Sequence, residues 1–177
     1  MAREIILTGA PGAGKTLILR QLEVDGIDVV EEAATDVIAL QHGLGVAEPW
    51  MRLEFTETIA QLQVQRVARP ALGEVRVSDR SLVCTLALAE YLGHPIPALL
   101  ERAIAESMER REFERRVLFV ELLGFITPTD ARRISLADSQ RFEAFHVAAY
   151  ERLGFELVRI PPLPLEERMA LVRAEIG

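Results

Sequence analysis

The sequence holds one cysteine, Cys84. An internal disulfide, a zinc site built on cysteine pairs and a dithiol redox centre are therefore excluded, and a reducing, cytoplasmic setting is the expected compartment. An excess of positive charge is also missing, because 20 Lys and Arg face 27 Asp and Glu for a net charge of −7. No general attraction for a phosphate backbone or an anionic bilayer follows, and no nucleic acid partner is expected. The densest basic stretch, Arg110, Arg111, Arg115 and Arg116, is interleaved with Glu109, Glu112 and Glu114, the pattern of a solvated helix face. No apolar run approaches the roughly 20 residues that span a bilayer, and the first eight residues lack the apolar stretch of a signal peptide. The chain is expected to be soluble, without a transmembrane segment. His42, His94 and His146 are scattered without a neighbouring ligand at metal-binding spacing, so imidazole metal binding is not expected.

What is present is the composition of an ordinary globular chain: 177 residues, half of them hydrophobic and 27% charged. That length suits one domain, here read as residues 1–177 with a lid-like loop at about 124–134. Short apolar segments alternate with helical periodicity, which predicts an α/β fold with a mainly parallel sheet covered on both faces. The expected strands are Glu4 to Leu7, Ile27 to Val30, Val75 to Val77, Val117 to Leu122 and Phe155 to Ile160. The expected helices run from Lys15 to Val24, Met51 to Arg69, Ser81 to Leu92 and Pro97 to Arg111, from a Ser135/Asp138 capping box to Leu153, and onward from Pro164. Gly124 to Arg133 shows neither period, and Thr127-Pro128-Thr129-Asp130 is a turn signal within it.

One octapeptide carries specific chemistry. Gly9-Ala10-Pro11-Gly12-Ala13-Gly14-Lys15-Thr16 satisfies the G-x-x-x-x-G-K-[ST] pattern, and it follows an expected strand and opens an expected helix, as that motif requires. Its glycines allow a tight turn and a close approach to phosphate. Its amide N–H groups and the dipole of the next helix attract phosphate oxygens. Lys15 supplies a cation for the β- and γ-phosphates, and the Thr16 hydroxyl a magnesium ligand. Leu17, next in the helix, completes the expected nucleotide-contacting stretch.

Further candidates stand at strand ends, where a parallel sheet directs its ligands. Asp79, after the third strand, is placed to help hold magnesium, and Arg80 to bridge phosphate oxygens; the competing reading makes Asp79 a cap for the helix from Ser81. Glu31 and Glu32 end the second strand, and either is placed to act as general base toward an acceptor hydroxyl. Arg132 and Arg133 end the expected loop, from which an arginine can close over transferring phosphate. Trp50, Phe55 and the apolar face of the following helix are read as core, with an acceptor-pocket lining as the alternative. No Asn-Lys-x-Asp sequence reads guanine, so the expected ligands are ATP, with GTP left open, and Mg2+.

Gly9 to Thr16, Val30-Glu31-Glu32-Ala33-Ala34, Ser78-Asp79-Arg80-Ser81, Arg132-Arg133, the segment Ala149 to Phe155, Pro161-Pro162 and Glu167-Arg168 together resemble the AAA-type ATPase family related to the kinase domain of NadR. The likeness runs in order along nearly the whole chain. It implies a three-layer, nucleotide-kinase-like P-loop NTPase fold with five parallel strands in the order 2-3-1-4-5. It also makes Glu32 the family acid and Asp79-Arg80 the signature after strand three, and it sets the loop from Pro161 to Pro164, with Pro162, against the base. Thr35 stands where relatives commonly carry an arginine, and Cys84 where they often carry an acid. Members include small-molecule kinases and nucleotide-binding regulators. The expected function is accordingly a Mg-dependent kinase acting on a hydroxyl of a small molecule, a nucleoside-like one among the candidates, and the alternative is an NTP-operated switch that binds a protein or lipid partner.

Overall fold

β1 (Arg3–Thr8) runs up the centre of the sheet, because its residues are apolar toward both faces. It pairs in parallel with β3 (Val75–Asp79) on one side and β4 (Arg116–Val120) on the other. β2 (Asp28–Val30) adds beyond β3, and β5 (Glu156–Ile160) beyond β4, both parallel. The order is therefore β2-β3-β1-β4-β5, the arrangement that the family resemblance implied. The computed structural model describes residues 2–124 and 135–177. The expected loop from Gly124 to Arg133, and with it Arg132 and Arg133, lies outside the described residues apart from Gly124.

Alternation along the strands divides the core in two, since successive side chains point to opposite faces. Ile5, Leu7, Val77, Leu118 and Val120 pack against Ile18 and Leu22 of α1 (Lys15–Val24) and Met169, Val172 and Ile176 of α7 (Leu165–Ile176). Ile6 and Val117 face the other way, onto Val83, Cys84 and Ala87 of α4 (Leu82–Leu92) and Phe142, Ala149 and Tyr150 of α6 (Leu136–Arg152). This makes three layers. Outside α4 lie α2 (Ala33–Gly43), α3 (Phe55–Val67) and α5 (Ala98–Arg110), joined through Ala33, Val37, Phe55 and Ile59 and through Ala60, Leu100 and Ile104. Among the described residues no helix is long and apolar enough to cross a membrane.

Three local expectations are corrected. The helix expected from Met51 is instead a short 3-10 turn over Pro49–Met51 followed by α3 from Phe55, because Arg52 takes an extended backbone that interrupts the helical hydrogen bonds. α2 was not anticipated: Glu32 opens it without a side-chain cap, so the usual start signal is missing. β4 stops at Val120 rather than Leu122, since its ladder with β5 ends at the Val120 to Ile160 pair. Ser135 does cap α6, accepting the Asp138 N–H at 3.0 Å while its hydroxyl donates to the Asp138 carboxylate at 2.7 Å.

Candidate active site

Because all five strands are parallel, the segments leaving β1, β2 and β3 emerge at one edge of the sheet, beside the point where connections diverge to either side. The loop after β1 is strained in a way that only glycine relieves. Gly9 sits at φ 139°, and a Cβ there would lie 2.2 Å from the carbonyl oxygen of Val120 in β4. Gly12 and Gly14 also take positive φ, and α1 starts at once with Lys15, so the loop wraps onto a helix N-terminus. Two distant helices brace it from outside. Arg168 of α7 donates to the Ala13 carbonyl at 2.8 Å, and Ser139 of α6 donates to the Pro11 carbonyl at 2.5 Å. Lys15 is buried, and its Nζ donates to the Gly9 and Ala10 carbonyls at 2.9 and 3.1 Å. Burial and the neighbouring Arg80 lower the Lys15 pKa to about 8 despite Asp79 and Glu32 nearby.

Arg80 follows β3 in the left-handed region, at φ 70°. Its own N–H is held by the Leu7 carbonyl at 2.9 Å, which pins the turn to β1. The residue is 8% exposed, and its Nε lies 2.5 Å from Glu32 Oε1. Glu32 in turn accepts from Thr35 Oγ1 at 2.9 Å. Arg66 of α3 fixes that corner by donating to the Glu31 and Glu32 carbonyls at 2.9 and 2.8 Å. Burial opposes charge on Glu32, but Arg80 and Lys15 outweigh it and hold its pKa below the ordinary range. Glu31 is exposed and does not line the cavity described below. The helix cap at Ser81 is the Ser81 hydroxyl itself, which accepts from the Val83 N–H at 3.2 Å; Asp79 does not cap α4.

These groups line one cavity of about 850 Å³. Its polar lining includes Lys15, Thr16, Glu32, Asp79 and Arg80; its apolar lining includes Ile38, Trp50, Phe55, Ile59 and Leu88. Phe55 and Ile59 thus serve both as core and as lining. The cavity brings together most of the residues singled out from the sequence, including Gly12, Gly14 and Leu17, which is 57% exposed. Pro162, beyond β5, is not among its lining residues.

Sequence reasoning passed over two groups. Gln63 follows Phe55 and Ile59 at four-residue spacing, so it shares their apolar face; it is 4% exposed and lines the cavity. A glutamine interrupting such a stripe was the available signal. His146, on α6, is 0% exposed, and its Nε2 lies 3.0 Å from Arg80 Nη1. No sequence spacing signals this contact, because 66 positions separate the partners.

A family model for the AAA domain matches residues 4–168 of this chain. Solved structures of deoxyadenosine kinase from M. mycoides share its fold. The form with bound dATP aligns with a TM-score of 0.69 at 11% identity over 98% of each chain. The form with dCTP aligns at 0.66, and the form with the products dCMP and a flexible dCDP at 0.67, both at 11% identity over 97% of each chain. No curated protein matches the sequence.

Proposed function

Starting from the fact that the chain belongs to the AAA domain family, whose model spans residues 4–168, we propose that it binds MgATP and transfers the γ-phosphoryl group to a hydroxyl of a small, nucleoside-like molecule. One observation carries this reading: the cavity lined by the phosphate-binding loop is lined as well by Ile38, Trp50, Phe55, Ile59 and Leu88, about 850 Å³ in all. A protein that only binds and slowly hydrolyses a nucleotide has no need of this additional apolar lining, whereas a kinase must seat an acceptor beside the phosphate.

In this proposal the loop amides, Lys15 and the dipole of α1 hold the β- and γ-phosphates. Thr16 and Asp79 line the same cavity, and a hydroxyl with a carboxylate suits a hard cation whose other ligands are phosphate oxygens and water. Those two residues would hold Mg2+, which when bound neutralises charge on the phosphates. Arg80 steadies the moving phosphoryl, and Glu32, an acid on the cavity wall beside Arg80, takes the proton of the acceptor hydroxyl. The nucleotide's base lies toward Leu17 and the loop that contains Pro162. Members of the described kinase structures hold dATP, dCTP or dCMP, and a nucleoside-like acceptor is proposed here by that likeness. Gln63 supports it independently, since its carboxamide has no hydrogen bond among the described residues and offers a donor and an acceptor to a heterocycle edge. The specific kinship to the kinase domain of NadR, the preference for ATP over GTP and a cytoplasmic setting belong to this same proposal.

The test is ATP consumption by wild type and Lys15→Ala with magnesium, with and without a library of nucleosides and other small hydroxyl compounds. Library-stimulated turnover that disappears in the variant is expected. Slow hydrolysis that no compound stimulates would overturn the kinase reading.

A further inference from the structure

Arg80 reaches the cavity through a turn that leaves its long side chain free to rotate unless something holds it. Two groups do so, on different sides. Glu32 takes Nε, and the imidazole of His146 meets Nη1 at 3.0 Å. The other ring nitrogen, Nδ1, lies 3.1 Å from the Phe142 carbonyl. A carbonyl only accepts and a guanidinium only donates, so Nδ1 carries the proton and Nε2 presents its lone pair to Arg80. His146 is fully buried within α6, and the Phe142 ring lies 4.2 Å from its own, centroid to centroid. The imidazole is thus fixed both in orientation and in tautomer.

We propose that His146 is the positioning residue that aims Arg80 at the transferring phosphoryl group. This rests on the kinase reading given above. Arg80 has five N–H donors in a planar fork. With Nη1 held by His146, rotation about the side-chain bonds is blocked, and the remaining donors keep one direction toward the cavity that Arg80 lines. The same helix carries Ser139, whose hydroxyl grips Pro11 of the phosphate loop. α6 therefore sets the phosphate loop and the arginine relative to one another. His146 needs no contact with substrate for this; it acts through Arg80.

The experiment compares His146→Phe, His146→Gln and His146→Asn with wild type, reading kcat and KM separately for ATP and for an acceptor that wild type phosphorylates. A glutamine carbonyl reaches the position of Nε2; an asparagine falls short. His146→Phe and His146→Asn should lower kcat about tenfold to a hundredfold, the scale of a misplaced catalytic group, with KM for ATP changed less than about threefold. His146→Gln should recover most of the loss. If the phenylalanine variant does not fold, the glutamine and asparagine pair decides. Equal kcat in these two variants, or an unchanged kcat in His146→Phe, would overturn the inference while leaving the kinase reading intact. A wild type that phosphorylates nothing would overturn both. Nitrogen NMR of wild type gives an independent check: Nδ1 protonated and Nε2 bare is expected at neutral pH, and the opposite tautomer would contradict the proposal.

Discussion

Arg80 Nε stands 2.5 Å from Glu32 Oε1, so the acid proposed to deprotonate the acceptor is ion-paired to the cation proposed to receive the phosphate. The pair explains why both charges persist in a largely buried place: burial of either charge alone is costly, and each offsets the other. In the proposed function it would also couple the two roles, because an incoming phosphate would compete with Glu32 for the same guanidinium and release the carboxylate to act as base.

Exchange of Glu32 for Gln separates those roles. The expected result is a fall in kcat of about 10²- to 10⁴-fold, the usual worth of a general base, with nucleotide affinity unchanged or slightly tighter because Arg80 loses a competitor. Steady-state kinetics and equilibrium titration with a non-hydrolysable ATP analogue measure the two effects. Glu31→Gln, at the exposed neighbour, should behave as wild type.

Lys15 makes nucleotide binding depend on protons. Its pKa is lowered to about 8 by burial first and by Arg80 second, and a triphosphate beside the ammonium favours the protonated form. Binding should therefore take up about half a proton near pH 8, where the free protein holds the lysine half ionised. Calorimetry in buffers of different ionisation enthalpy reads this uptake directly, and it should vanish in Lys15→Met.

His146 predicts a particular acid sensitivity. Burial, then Arg80 and Lys15, push its pKa well below 6.5, so the folded protein resists a proton that the unfolded chain accepts. Above pH 6.5 the group contributes no pH dependence. Below it, stability should fall by up to about 1.4 kcal/mol per pH unit from this residue, since the unfolded state binds the extra proton. Denaturation of wild type and His146→Gln at pH 7, 6 and 5 isolates the effect, because the carboxylates contribute alike to both.

The phosphate loop should tolerate substitution poorly at Gly9. There a side chain meets a backbone oxygen at 2.2 Å, whereas Gly45, also at positive φ, has open space around it. Gly9→Ala should cost more than about 3 kcal/mol, from clash and strain together, and Gly45→Ala only about 1 to 2 kcal/mol from its left-handed backbone. Thermal denaturation of the two variants provides the comparison.

Local signals in the sequence located much of this. The run from Glu4 to Leu7 reads as a buried strand because it is apolar toward both faces, and Lys15–Val24 as a helix because apolar spacing and the closing Asp25-Gly26 agree. Motif and strand end single out Lys15, Glu32, Asp79 and Arg80, and the four do share a cavity. α2 escaped because it begins at Glu32 without a capping hydrogen bond, and the break at Arg52 because a single extended residue leaves no mark in periodicity. Which of Glu31 and Glu32 faces Arg80 is a relation between the ends of two strands, which no local pattern encodes. The contacts of His146, Ser139 and Arg168 join helices to loops more than 60 positions away, and no local pattern encodes such distances.

Phosphoryl transfer to a second molecule is decided by the fate of the γ-phosphate. Wild type is incubated with magnesium and γ-labelled ATP in the presence of the nucleoside library, and the label is traced. Label is expected on an acceptor hydroxyl, abolished in Lys15→Ala and strongly reduced in Glu32→Gln. Label recovered only as inorganic phosphate, at a rate that no acceptor changes, would contradict it.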